Sequence, residues 1–124
     1  MIIHPQSEFP LLEEYKKVFN VTPNTIFAYD HKIYSNNELP KHLIIHEQVH
    51  HKQQDRHGLD NWVKRYLEDP KFRLDMEVEA YKIQLESIKD QRGRALQTMI
   101  SAKDLSSDLY GNIVTYRQAL KLIT

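Results

Sequence analysis

Three residues in one short run, His46, Glu47 and His50, have the types and the spacing for metal-assisted hydrolysis. Residues four apart on an α-helix share a face, one turn above the other. The imidazoles of His46 and His50 can therefore point at one metal ion. Glu47 lies about 100° round the helix from His46, close enough to reach a water held there. The pattern His-Glu-x-x-His joins two nitrogen ligands to a neighbouring carboxylate base. Five positions can fall into this pattern by chance, so a helix to carry them and a further ligand are both required.

The helix has clear sequence support. Leu43, Ile44, Ile45 and Val49 supply apolar positions on both sides of the histidine pair. Pro40 suits a first helical turn, where a missing N–H costs little, and Gly58 suits the stop. The spacing predicts one helix over residues 40–57. For the third ligand, the extended pattern His-Glu-x-x-His-x-x-Gly-x-x-His would need Gly at 53 and His at 56. Those positions hold Gln53 and Arg56, which excludes it. A Glu from a second helix is the other solution, and residues 73–81 offer Glu77 and Glu79. At 100° per residue, Leu74, Val78, Tyr81, Leu85 and Ile88 form an apolar stripe, which Met76, Ala80 and Ile83 widen. Glu77 falls inside that arc and Glu79 falls outside it, with Asp75, Lys82 and Glu86. A carboxylate on a buried face must be paired, protonated or metal-bound. Glu77 is therefore the expected ligand, and Glu79 is expected to be solvated.

The same residues carry a resemblance. His-Glu-x-x-His with a downstream helical Glu resembles the gluzincin metallopeptidases, and Glu77-Val78-Glu79-Ala80 looks like their Glu-x-x-Ala motif. In that motif the Glu three residues before the Ala binds zinc, which carries over to Glu77. His46 to Gln53, with Glu77 to Gln84, also resembles small uncharacterised metallopeptidase-like proteins, many of them phage-encoded. The likeness covers roughly residues 40–88. It departs from the best-known relatives at Tyr81, where they carry Asp or Asn after the Ala. The usual carboxylate partner of a zinc histidine is not visible there. The resemblance implies a zincin-like minimal domain, in which a small sheet precedes the active helix and its edge strand holds an extended peptide.

The remaining histidines have plainer readings. His51 is about 100° off His50 and reads as a surface residue or a support for the ligands. His57 shares the face of the pair two turns on, and reads as a cation at a helix C-terminus. His4 and His31 read as ordinary polar residues. Gln53 and Gln54 can reach the site, but read first as a solvated helix end.

The elements that must position these groups follow from periodicity. Residues 9–19 read as a short helix with Leu11, Leu12, Tyr15, Val18 and Phe19 on one side. Residues 24–35 are β-branched and aromatic around Asp30-His31, which reads as a β-hairpin. Helices are expected at 59–68, from Asp69-Pro70 to about residue 91, at 94–108 with Leu96, Met99, Ile100 and Leu105, and from Asn112 to Leu122. The expected fold class is α+β, mostly α, as one domain over residues 1–124.

Whole-chain composition narrows the function. Lys plus Arg and Asp plus Glu both number 17, so no overall charge favours nucleic acid or an anionic membrane. There is no Cys, which excludes disulfides and thiolate metal sites. The N-terminal residues show no basic and apolar leader, and no run approaches a membrane span. Cytoplasm is the expected location, with lysis-linked export left open. Two His, one Glu and an open position favour Zn²⁺ over Mg²⁺ or Ca²⁺. The expected activity is peptide-bond hydrolysis of a peptide or protein substrate. Glu47 is the expected general base, and Tyr81, Tyr110, Tyr116 and Arg117 are the candidate oxyanion donors. The alternative is a zinc-binding protein without turnover, regulatory or structural, in phage–host interaction.

Overall fold

A computed structural model describes residues 1–124 as a helical protein with one small sheet. Strand β1 (Ile3–His4) leads through a 3-10 turn (Gln6–Glu8) to helix α1 (Leu12–Lys16). Strands β2 (Phe27–Tyr29) and β3 (Lys32–Tyr34) follow, then α2 (Lys41–His57), α3 (Leu59–Glu68), α4 (Pro70–Glu86), α5 (Gln91–Leu105) and α6 (Tyr116–Ile123). No helix is long and apolar enough to cross a membrane.

The hairpin forms where the sequence indicates. β2 and β3 are antiparallel and joined by two residues, Asp30 and His31, with φ of 50° and 63°. Positive φ at both positions is what the tight turn matching strand twist demands. β3 is central, with β1 parallel on one side and β2 on the other, so β2 is an edge strand. Two side chains of α2 tie the hairpin to it. Gln54 Nε2 donates to the Ala28 carbonyl at 2.8 Å while its Oε1 accepts from the Asp30 N–H at 3.2 Å. His51 Nε2 donates to the Lys32 carbonyl at 2.8 Å. His51 and Gln54 are therefore buried structural ties rather than surface groups.

Local signals set the helix ends. Gly58 ends α2 and starts α3 at φ 84°, a conformation that glycine reaches without Cβ strain. Asp69 accepts hydrogen bonds from the Lys71 and Phe72 N–H groups, and Pro70 takes the first position of α4. Thr115 and Gln118 form a reciprocal capping box that starts α6 at Tyr116 rather than Asn112.

Several expectations are corrected. The helix read over 9–19 shrinks to α1, because Pro10 disfavours helical backbone at Phe9; Val18 is exposed. α4 ends at Glu86 and leaves Ile83 exposed. α5 starts earlier than expected, capped by Asp90 on the Gly93 N–H. Its inward face is Ser101, Ala102 and Leu105, while Leu96, Met99 and Ile100 lie outside.

Two apolar clusters flank the middle of the molecule. One gathers Phe9, Tyr15, Phe19, Phe27, Tyr34, Trp62, Tyr66, Phe72 and Met76. The other gathers Tyr81, Leu85, Ala102, Leu105, Ala119 and Ile123. Between Met76 and Tyr81 the chain carries Glu77, so the two clusters meet across a polar seam.

Candidate metal centre

That seam is the packing of α2 on α4. Of the seven residues α2 buries, only Val49 is apolar; the others are His46, Glu47, His50, His51, Gln53 and Gln54. α4 buries Arg73, Glu77 and Gln84 along with its apolar residues. Buried polar groups are costly unless paired, and here the pairs run in order down the two antiparallel helices.

At the centre, His46 Nε2 lies 3.1 Å from Glu77 Oε1 and His50 Nε2 lies 3.0 Å from Glu77 Oε2. One donor atom from each of the three residues falls within 4.8 Å of the others, and all three residues are buried. The sequence pointed to these three, and the fold brings them together. Such a set can hold a metal ion: two imidazoles and a carboxylate from adjacent helices suit bonds of ~2.0–2.2 Å.

Each of the three residues has a second tether. His46 Nδ1 meets Gln84 Oε1 at 2.8 Å, and Gln84 Nε2 meets His42 Nδ1 at 2.8 Å. His50 Nδ1 meets Gln53 Oε1 at 2.8 Å, and Gln53 Nε2 donates to the Met76 carbonyl at 3.0 Å and to Glu79 Oε1 at 2.7 Å. Glu79 also pairs with Arg56 at 3.2 Å. Glu77 Oε2 accepts from the Tyr66 hydroxyl at 2.5 Å. Gln53 and Glu79 were expected in solvent; Gln53 is instead fully buried and Glu79 half-buried. Tyr66 and Gln84 carried no signal in the sequence, since each meets its partner only across the packed helices.

Charge follows from this geometry. Burial would raise the Glu77 carboxyl, but the charges and hydrogen bonds of His50 and His46 hold it well below the usual carboxylate range. Burial would lower His50, yet the Glu77 charge and hydrogen bond push it up to about 9. Glu47 is raised chiefly by burial. Its carboxylate stays outside the hydrogen-bond network, 4.0 Å from His46 Nε2. Tyr66, Tyr81 and Tyr110 are all pushed well above their ordinary range by burial and by the Glu77 charge, so they are neutral donors.

A cavity of about 180 Å³ opens onto the three ligands and Glu47. Phe19, Phe27, Trp62, Tyr81, Leu109 and Tyr110 are among its lining residues. The hydroxyls of Tyr81 and Tyr110 meet at 3.1 Å, and the Tyr81 ring packs on His46 with centroids 4.5 Å apart. Neither Tyr116 nor Arg117 lines the cavity, and both are exposed. Of the four candidate donors, Tyr81 and Tyr110 stand beside the centre. Thr25, Ile26 and Ala28, in and beside the edge strand β2, also line it. Trp62 Nε1 is a buried N–H without a partner. The lining holds no Lys or Arg.

The other histidines lie apart. His31 Nε2 pairs with Asp55 at 2.8 Å on the surface, and His4 packs against the Tyr34 ring. His57 packs on Phe72; burial and then the charges of Arg56 and Arg65 lower its pKa. It lies in the last turn of α2, where the sequence placed it. No family model, no curated protein and no solved structure matches the chain.

Proposed function

We propose that this chain is a zinc-dependent peptide-bond hydrolase of gluzincin type, with a zincin-like minimal fold. His46, His50 and Glu77 would hold the ion. The carrying observation is the meeting of these three donor sets beside a free, buried carboxylate at a cavity. Zinc, when bound, supplies Lewis acidity that polarises a scissile carbonyl and acidifies a water.

The protein's own groups do the rest. Glu47 takes the proton of the attacking water and returns it to the leaving amine. Tyr81 and Tyr110 donate to the negative charge that develops on the carbonyl oxygen. Gln54 engages the Ala28 carbonyl and Gln6 the Thr25 carbonyl, so an extended substrate would use the main-chain groups between them. With no Lys or Arg in the lining, a substrate's terminal carboxylate has no cationic partner. This favours internal or amino-terminal cleavage over carboxy-terminal trimming.

Glu47→Gln tests the assignment. It keeps the shape and the metal but cannot take a proton. Zinc content is expected to stay at the wild-type level while turnover of an unstructured protein substrate falls at least ~100-fold. Unchanged turnover would remove Glu47 from the mechanism. A second reading, a zinc-bound protein without turnover, is favoured by how deeply the ligands sit: His46, His50 and Glu77 are 4 %, 5 % and 2 % exposed. A wild type that retains zinc and cleaves nothing would establish it.

A further inference from the structure

Both central imidazoles have their remaining ring nitrogen held by a glutamine, but the two glutamines are not held alike. Gln53 is fully buried, and its Nε2 faces the Met76 carbonyl and the Glu79 carboxylate. The same Glu79 oxygen also takes the Arg56 guanidinium at 3.2 Å. Both partners are then acceptors only. The amide must present its NH₂ to them, so its Oε1 must face His50 Nδ1. That nitrogen has to carry a proton, and Nε2 is left as the only ring nitrogen able to take a metal.

Gln84 is equally buried, but its far partner is different. Its Oε1 meets His46 Nδ1 and its Nε2 meets His42 Nδ1. An imidazole nitrogen can either donate or accept. The same proton placement on His46 therefore holds only while His42 Nδ1 accepts. Metal-binding histidines usually donate their second N–H to a carboxylate, a backbone carbonyl or water; both here meet neutral amides.

We propose that Gln53 and Gln84 are the positioning residues of the metal centre, with Gln53 a locked clamp on His50 and Gln84 an exchangeable clamp on His46 through His42. This rests on the metal-binding half of the proposed function and not on hydrolysis. It makes one isosteric change behave in opposite ways at the two sites. A carboxylate at position 84 can accept from His46 Nδ1 and, with a shift of one proton, from His42 Nδ1 as well. A carboxylate at position 53 would face Met76 O and Glu79 with no hydrogen to offer.

The test is Zn²⁺ affinity by chelator competition on the full chain, for wild type, Gln53→Glu, Gln84→Glu and Gln84→Met. Gln84→Glu is expected to stay near wild type, while Gln53→Glu and Gln84→Met weaken binding ~10–100-fold. Equal losses in the two Glu variants, or no loss in Gln53→Glu, would overturn the proposal. A purely structural role would show as lower melting temperature without this split. Should Gln53→Glu fail to fold, long-range ¹H–¹⁵N spectra of the zinc-loaded wild type decide. Protons on Nδ1 of both His46 and His50 are expected, and metal bound through Nδ1 of either ring would overturn it. A wild type that takes up no zinc would sink the metal reading itself, and the same spectra without zinc would still report the Nδ1 proton of His50.

Discussion

The seam between α2 and α4 and the seam between α5 and α6 are both close helix contacts, built from opposite materials. The first is a ladder of His42, His46, His50 and Gln53 against Gln84, Glu77 and Glu79. The second is Ala102 and Leu105 against Ala119 and Ile123. Apolar burial stabilises by roughly 25 cal/mol per Å². A buried ionic ladder contributes little net stability, because desolvation offsets the attraction, yet losing one member is expensive. A chain that needed only to hold two helices together would do better with the second kind. The polar seam is accordingly where we propose that the function lies, and the apolar seam is a structural one.

Breaking each seam in turn sharpens this division. The largest effect is expected at Glu77→Ala. It removes a ligand and leaves His50 buried without its counter-charge. The variant should lose zinc, and the chelator-stripped protein should lose ~3–5 kcal/mol of stability, read by metal analysis and by denaturant unfolding. Zinc retained in full would mean that Glu77 is not a ligand. Next comes Leu105→Ala, fully buried in the apolar seam. It should cost ~2–5 kcal/mol while zinc per chain stays unchanged. A loss of zinc there would show that the two seams are coupled.

The pH dependence of the stripped protein is the subtler discriminator. His50 is raised to about 9, from an ordinary value of 6.5. The folded state thus binds this proton more tightly than the unfolded state. The stabilisation is complete below pH 6.5 and is lost as pH rises through 9, on the order of 3 kcal/mol in all. Melting temperatures of chelator-treated protein should fall between these values. In Glu77→Ala the slope should vanish, while Leu105→Ala should keep it. A flat profile in the stripped wild type would remove the His50–Glu77 pair as its cause.

How much of this was legible in the sequence divides along the same line. His46, Glu47 and His50 stood out by spacing alone, and Glu77 by helical phase. The hairpin was legible because Asp30 and His31 sit between two β-branched runs. What was missed is mostly the polar seam. Gln53 and Glu79 have the composition of a solvated face, and nothing in one helix reveals that a second will cover it, or that the hairpin will cover His51 and Gln54. Tyr66 and Gln84 depend on partners across the packing. The converse holds on α5, where the apolar Leu96, Met99 and Ile100 are exposed and packing runs through Ser101, Ala102 and Leu105. β1, at two residues, is too short to leave a pattern.

The most direct test of the central claim is the metal content of the native protein, by mass spectrometry of wild type and Glu77→Ala side by side. One Zn²⁺ per chain in the wild type, absent from the variant, is the expected result for a three-ligand site. A wild type that holds no zinc, even after zinc is supplied, would contradict it.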